Sequence, residues 1–275
     1  MTGADGAGLW RTESRDGVVV ARFGDPPMSY LTGPALAELA VLVEEWTAPE
    51  VRAVVIAGSV PGRFITHFSV EEILAGQPTM AARGPELNYR VHATYGALGE
   101  LGKPVICALN GDTMGAGLEL ALACDIRIGE RGDYRYGLPE VRLGLIPGGS
   151  GTQRLVRLIG RGPALELILG ARLLTPAEAL EWGIVSRLAD DAVAAAEGLA
   201  RRLAAMPGTA LAAAKRIVHQ AADLPLETAL RMEADASFRA KVSPQSTAAM
   251  RRYVEIASED RRAYLDEWDD DQPFV

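Results

Sequence analysis

The sequence predicts a mixed α/β core followed by a helical C-terminal region. Short, β-branched apolar runs such as 51–57 and Val105–Leu109 are typical of buried strands covered on both faces, and they alternate with segments of helical period. This repeated ββα order favours a mixed α/β fold. After Gly149 the helical period dominates. We therefore divide the chain into a core, 1–195, that holds the functional site, and a helical region, 196–275.

The first 40 residues predict a hairpin and then a helix. Strand-like runs at 9–13 and 18–23 flank Asp16-Gly17, a dipeptide favoured in tight hairpin turns. Thr32 can cap a helix that has Pro34 in its first turn. Both patterns depend on short-range chemistry alone.

The middle and the end of the chain are predicted mainly from periodicity. A small-residue helix is expected at Ala116–Ala123, with strands after it at 125–128 and 143–146. The stretch 226–268 is helix-forming and amphipathic, so it must bury an apolar stripe against something. The acidic run that ends at Asp271 is predicted to be a solvated tail. Five further helices are expected at 152–159, 163–169, 175–182, 191–205 and 209–222.

Composition excludes several classes of function. The net charge is −8, and the short basic clusters are offset by nearby acids, so nucleic acid is not an expected partner. No apolar run approaches the roughly 20 residues of a membrane span, and no secretory signal is visible, so we expect a cytoplasmic protein. Two cysteines in apolar surroundings do not build a disulfide framework. The three histidines show no metal-ligand spacing, so no metal site is expected.

Two carboxylates stand out because their neighbours are apolar. Glu119 lies one turn into the helix that follows the glycine-rich segment 110–117, and burying an acid there is costly without a partner or a role. Glu140 follows a proline and precedes the glycine-rich helix start 147–152. The alternatives are ordinary ones: glycines that permit close helix–strand packing, and a surface acid at position 140.

A third unusual segment, 62–72, should place the start of a helix next to a loop. Ser69 and Glu72 have the spacing of a capping box, so a helix is expected to begin there with the N–H groups near Phe68 facing outward. Segment 87–101 carries Tyr95 and other apolar residues at helical spacing, which indicates core more often than pocket.

Together these segments resemble the crotonase, or enoyl-CoA hydratase/isomerase, superfamily over residues 8–265. The entry motif, the central glycine–helix motif, the proline–glutamate and glycine motif and a later alanine–glycine motif occur in the family's order. They lie at 25–32, 110–126, 139–155 and 177–185. The resemblance implies a crotonase-like ββα spiral core and a C-terminal oligomerisation region that forms trimers or hexamers.

The resemblance also implies a site and a substrate. Backbone N–H groups of Phe68 and Ala116 would form an oxyanion hole for the thioester carbonyl of an acyl-CoA, with further substrate contacts at His67 and Gly115. Glu119 and Glu140 would match the two glutamates of the family's hydratases, Glu140 as proton donor to C2 and Glu119 as the group that orients water. Coenzyme A would enter only as the acyl carrier of the substrate, with no other cofactor.

The chain departs from the family at Thr66-His67-Phe68-Ser69, where an Ala-Gly-Ala-Asp sequence is usual. His67 replaces a glycine, and histidine tolerates positive φ better than bulky aliphatic residues do, so the turn can survive. Retention of both glutamates favours an enoyl-CoA hydratase that forms a 3-hydroxyacyl-CoA. The alternatives are an enoyl-CoA isomerase, another crotonase-type reaction, and a non-catalytic binding member.

Overall fold

The computed structural model describes residues 8–266, and its strands form three sheets. The largest has the order β1-β2-β4-β7-β9-β12, in which only β1 is antiparallel to its neighbour. A second sheet has the order β11-β10-β8-β5, and β3 pairs with β6. In chain order the strands are β1 (Trp10–Arg15), β2 (Val18–Phe23), β3 (Tyr30–Leu31), β4 (Ala53–Gly58), β5 (Gly62–Arg63), β6 (His67–Phe68), β7 (Val105–Leu109), β8 (Gly111–Met114), β9 (Ile126–Glu130), β10 (Tyr136–Gly137), β11 (Leu173–Leu174) and β12 (Arg187–Ala189).

The helices lie on both faces of the largest sheet and continue beyond it. A short 3-10 turn, Glu140–Leu143, precedes α5. The helices are α1 (Gly33–Glu45), α2 (Val70–Arg83), α3 (Glu86–Glu100), α4 (Ala116–Ala123), α5 (Gly151–Ile159), α6 (Arg161–Leu169), α7 (Pro176–Glu181), α8 (Ala192–Ala205), α9 (Gly208–Ala221), α10 (Leu226–Lys241), α11 (Pro244–Glu255) and α12 (Arg261–Asp266).

The largest sheet separates two apolar layers, as its strand sequences predict. Alternate residues of β4 face opposite sides: Val54 and Ile56 join the layer with α1, α3 and α4, whereas Val55 joins the layer with α8. Every residue of β4 is buried. The expectation of strands covered on both faces is confirmed for β4 and β7.

The predicted local chemistry near the N-terminus is confirmed. Asp16 and Gly17 both have positive φ in the turn between β1 and β2. Thr32 caps α1, because its side chain accepts a hydrogen bond from the Ala35 N–H at 3.4 Å. Ser69 caps α2 by accepting from the Glu72 N–H. The reciprocal half of the capping box is wrong, since the Glu72 carboxylate accepts from the Gly33 N–H instead.

Two predictions for the middle of the chain are corrected. The run 143–146 is not a strand: Leu143 ends the 3-10 turn and Gly144 adopts a left-handed conformation with φ of 71°. The apolar side chains of Leu143 and Ile146 are exposed rather than paired in a sheet. The glycine-rich segment after β7 holds an unexpected strand, β8, which lies between β10 and β5.

The C-terminal helices lie outside the two apolar layers. The predicted boundary at residue 195 falls inside α8, whose buried residues pack on the largest sheet. Asp125 holds α9 against the core: its carboxylate accepts hydrogen bonds from the Val105 N–H and from His219 Nε2 at 2.8 Å, and it forms an ion pair with Lys215 Nζ at 2.9 Å. The predicted helical stretch 226–268 is divided into α10, α11 and α12. Its end at Trp268 and the acidic run after Asp266 lie outside the described residues.

Within residues 8–266 no helix has both the length and the apolar character needed to cross a membrane.

Candidate active site

Glu119 is a buried carboxylate held by the loop that precedes α5. It lies in the first turn of α4 and only 2% of its surface is exposed. Its Oε1 accepts hydrogen bonds from the Gly149 N–H at 2.8 Å and the Gly151 N–H at 2.7 Å. The two glycine-rich segments of the sequence therefore meet at this carboxylate.

The glycines of that loop leave the space that Glu119 occupies. A Cβ added at Gly149 would lie 2.6 Å from Glu119 Oε2, and one added at Gly151 would lie 2.8 Å from Oε1. Between them Ser150 adopts a left-handed conformation with φ of 92°, which is uncommon for a non-glycine residue. Arg154 Nε donates to Ser150 Oγ at 2.9 Å and fixes this turn. The loop is shaped so that its N–H groups point at the carboxylate.

Glu140 reaches the same region from the 3-10 turn. Its Oε1 lies 3.0 Å from the position that a Cβ on Gly115 would take, so the missing side chain of Gly115 makes room for it. Its Oε2 is buried and has no hydrogen-bond partner within the described residues. An unpartnered buried carboxyl oxygen is costly, and such groups are commonly found where chemistry is performed.

Both carboxyl groups are easier to protonate than a glutamate in water. Burial and, to a smaller extent, the nearby Glu140 raise the pKa of Glu119 to about 7, while the Gly151 and Gly149 N–H groups oppose the shift. Burial also raises the pKa of Glu140 to about 7. Each carboxyl group can therefore accept or donate a proton near neutral pH.

The start of α4 lies against the segment that carries Phe68. The Met114 N–H donates to the Thr66 carbonyl at 2.9 Å, and a Cβ on Gly117 would lie 2.0 Å from the Ile65 carbonyl oxygen. Gly117 thus serves the close packing that was the simpler interpretation of these glycines. The first bond within α4 runs from the Glu119 N–H to the Gly115 carbonyl, so the helix offers no carbonyl partner to the Ala116 N–H.

His67 lies in an extended strand rather than in a left-handed turn. It lies in β6, opposite Tyr30, and the two rings stack with centroids 4.4 Å apart. Its Nδ1 lies 2.8 Å from the Phe68 carbonyl oxygen, which can only accept, so Nδ1 carries the hydrogen. The expected positive φ at His67 is therefore not needed, because β6 pairs with β3 instead of turning.

The six predicted site residues lie together, and sequence reasoning missed several that support them. Gly115 is close to both Glu140 and His67, and Glu140 is close enough to Glu119 to raise its pKa. The strand β6, which carries His67 and Phe68, contacts α4, whose first residue is Ala116. Tyr95 was predicted to be core and is fully buried, yet its hydroxyl also donates to the Ala116 carbonyl at 3.0 Å. The N–H donors of Gly149 and Gly151 and the contacts of Asn88 and His92 with Gly148 were missed. The spacing of the glycines before α5 could have indicated the N–H donors of Gly149 and Gly151.

No group of three or more histidine, cysteine, aspartate or glutamate side chains in residues 8–266 is arranged to hold a metal ion.

Comparison with known proteins assigns this arrangement to a family. A family model described as enoyl-CoA hydratase/isomerase matches residues 13–260. The chain belongs to the enoyl-CoA hydratase/isomerase family. The resemblance inferred from the motifs, and the mixed α/β fold expected from it, are confirmed.

Relatives within the enoyl-CoA hydratase/isomerase family cover most of the chain. A probable enoyl-CoA hydratase of Bacillus subtilis is 33% identical over 86% of this chain and 92% of its own. A short-chain-enoyl-CoA hydratase of Clostridium acetobutylicum is 31% identical over 75% of this chain and 78% of its own. A crystal structure of an enoyl-CoA hydratase from Geobacillus kaustophilus matches with a TM-score of 0.86 and 26% identity, covering 91% of this chain and 95% of that one.

Proposed function

We propose that the protein is an enoyl-CoA hydratase, which adds water across the 2,3 double bond of a 2-enoyl-CoA to give a 3-hydroxyacyl-CoA. The observation that carries the proposal is the pair of buried carboxyl groups, Glu119 and Glu140, each with a pKa near 7. Hydration needs an acid and a base at adjacent carbon atoms, and this pair supplies both at neutral pH. General acid–base catalysis of this kind contributes roughly 10²–10⁴ in rate.

The hydrogen bonds of the two groups support different roles. Glu119 accepts two backbone N–H bonds, which favour its ionised form, so it is the group more readily present as the base. Glu140 has a buried oxygen without a partner, which favours its protonated form, so it is the group more readily present as the acid. Glu119 would orient a water molecule towards C3, and Glu140 would deliver a proton to C2.

The proposed step balances in atoms and charge. The water oxygen forms a bond to C3 as the water gives a proton to Glu119. The electrons of the C2–C3 double bond shift toward the thioester carbonyl to form an enolate, and C2 then takes the proton of Glu140. Transfer of the proton from Glu119 back to Glu140 through solvent restores the starting state. No electron donor or metal is required.

An oxyanion hole of the Phe68 and Ala116 N–H groups would stabilise the enolate oxygen. Two features support this part of the proposal: Ala116 is the first residue of α4, and β6 packs against the start of that helix. Losing one such donor typically costs about 10²–10³ in rate, because the charge on the oxygen develops only in the transition state. The positive end of the α4 dipole acts in the same direction.

The proposed substrate is an acyl-CoA, and coenzyme A is its acyl carrier rather than a separate cofactor. Family members bind acyl-CoA substrates. The first substrates to test are therefore short 2-enoyl-CoA esters, followed by branched and aromatic ones.

Turnover of a panel of 2-enoyl-CoA esters tests the proposal. We expect loss of the conjugated double bond and a gain of one water in mass, without added metal or nicotinamide. Absence of a hydrated product across short, branched and aromatic substrates would reject the hydratase. The isomerase alternative needs a single proton shuttle and no water, so it would produce a shifted double bond with no change in mass.

Glu119→Gln separates the two reactions further. We expect it to lose most hydration but to retain slow exchange of the C2 proton with deuterium, because Glu140 still serves C2. Hydration at the wild-type rate would show that the two-carboxylate mechanism is wrong.

We also propose that the chain assembles into a trimer or a hexamer through its C-terminal helices. These helices expose apolar side chains that a compact monomer has no reason to leave in water, and closed rotational symmetry is the usual form of soluble homo-oligomers. The residues concerned are Val218, Leu226, Leu230, Phe238, Val242, Met250, Val254 and Leu265.

A further inference from the structure

The carbonyl of Gly148 accepts two side-chain hydrogen bonds from one face of α3. Asn88 Nδ2 donates at 3.0 Å, and His92 Nε2 lies 2.8 Å away. The two residues are four positions apart, so they share a face of the helix. Because a carbonyl oxygen only accepts, His92 Nε2 must carry a hydrogen, and it does so in the imidazolium form as well.

The same peptide group connects these donors to Glu119. The Gly148 carbonyl and the Gly149 N–H belong to one planar peptide and point in opposite directions. On the other side, the Gly149 N–H donates to Glu119 Oε1 at 2.8 Å. Donors on the carbonyl polarise the peptide and strengthen its N–H as a donor, since hydrogen bonds in a chain reinforce one another.

We propose that Asn88 and His92 are positioning residues for Glu119, acting through the peptide that links Gly148 to Gly149. They fix the plane of that peptide, and so the direction and strength of the N–H that holds the carboxylate. This inference rests on the proposed hydratase function, because Glu119, which the two residues would position, is the group that would orient water.

The local geometry is built around this contact. A Cβ added at Gly148 would lie 2.6 Å from Asn88 Nδ2, so a side chain at 148 would displace the donor. Ser150, two residues later, holds its left-handed conformation under a hydrogen bond from Arg154. The carbonyl side of the peptide is thus held from α3 and its N–H side by the Glu119 carboxylate, while the next residue, Ser150, is held from α5.

A pH profile distinguishes positioning from simple anchoring of the loop. Glu140, from the 3-10 turn, is the charged group that acts on the pKa of Glu119, and Tyr95, from α3, is a neighbouring titratable group whose own pKa is raised by burial and in part by Glu119. The Gly149 N–H lowers the pKa of Glu119, so weakening that donor should raise the pKa. If ionised Glu119 is the base, the acid limb of the kcat profile should then move to higher pH. A loop anchor would change stability or KM without moving this limb.

The test compares Asn88→Ala/His92→Ala with two single variants. The double variant should lower kcat roughly 10- to 100-fold, since a misplacement of about 1 Å can cost about 10²-fold, and should move the acid limb upward. His92→Gln retains an N–H donor and should recover most of kcat. Ala93→Gln, on the exposed neighbouring position of α3, is the matched control and should behave as wild type.

Titration of the Glu119 carboxyl by ¹³C NMR gives a readout that does not require turnover. We expect a higher pKa in the double variant and an unchanged one in Ala93→Gln. A double variant with the wild-type Glu119 titration and acid limb would overturn the inference, even if its kcat or melting temperature fell. If the wild-type protein hydrates no substrate, the proposed function fails, and the NMR titration alone then decides whether the peptide tunes Glu119.

Discussion

The candidate site and the C-terminal helices place polar and apolar side chains in opposite ways. At the candidate site two carboxyl groups are largely removed from water, where glycines make room for both and backbone N–H groups bind Glu119. In α9, α10 and α11 large apolar side chains such as Val218 and Phe238 are exposed, and Ala236 is the single buried residue among the described residues of these helices.

The difference shows that Glu119 is stabilised by groups of its own chain, whereas the C-terminal helices expose apolar side chains that the described residues do not cover. A buried charge must be satisfied locally or it destabilises the fold. An exposed apolar stripe carries no such local requirement and can be covered by a second copy. Substitutions at the candidate site should therefore change the activity, and substitutions in the C-terminal helices should change the oligomeric state.

The largest expected effect is the loss of turnover in Glu140→Gln. Glutamine cannot donate a proton to C2, so kcat should fall by roughly 10²–10⁴, while binding of a saturated acyl-CoA changes little. Steady-state kinetics and calorimetry on the same samples measure the two quantities. Glu181→Gln, on an exposed position of α7, is the control. Near-normal turnover in Glu140→Gln would remove this residue from the mechanism.

A second prediction concerns the oligomeric state, which we propose depends on the C-terminal helices. Light scattering should give three or six times the 29.3 kDa chain mass. Leu230→Ser/Phe238→Ser should shift the protein towards smaller species, because burial of each such side chain contributes roughly 1.5–3 kcal/mol. Val41→Ser changes an equally exposed residue on α1 and should leave the mass unchanged. A monodisperse, active wild-type monomer would contradict this prediction.

The smallest expected effect is a pH-dependent gain of stability in Glu119→Gln. The pKa of Glu119 is raised from its ordinary value of 4.5 to about 7, so the folded state holds the proton more tightly than the unfolded state. This contribution is complete below pH 4.5 and is lost as the pH rises through 7. The charged form costs at most about 3 kcal/mol at alkaline pH, and glutamine removes that cost.

Melting curves at pH 5 and pH 8.5 measure this gain. The variant should exceed wild type by more at pH 8.5 than at pH 5. If the difference in melting temperature between the two proteins does not depend on pH, burial does not raise the pKa of Glu119.

Local rules predicted the parts of the fold where a short sequence decides the structure. Thr32, the Asp16-Gly17 turn and the helix Ala116–Ala123 were correct because caps, turns and periodicity act over a few residues. The run 143–146 was wrong because an apolar run need not be buried: Gly144 turns the chain and leaves Ile146 in solvent.

The candidate site was predictable only in its outline. An acid among leucines marked Glu119, and the family motifs marked Glu140. The peptide that joins Gly148 to Gly149 could not be anticipated, since Asn88 is 60 residues from Gly148 along the chain and only the fold brings them together. The direction in which a backbone N–H points is set by dihedral angles such as that of Ser150, which sequence does not reveal.

The glycines next to the two carboxyl groups are positions where a side chain has no room, unlike the exposed positions nearby. A Cβ at 149 or 151 would lie 2.6 or 2.8 Å from a carboxylate oxygen of Glu119, and one at 115 would lie 3.0 Å from Glu140 Oε1, so a side chain at any of these positions would displace the carboxylate beside it. Exposed apolar residues such as Tyr89 and Leu143 have no such constraint. Substitutions at the exposed positions would therefore leave the packing around the two carboxyl groups unchanged, whereas a single methyl group at 149 would alter it.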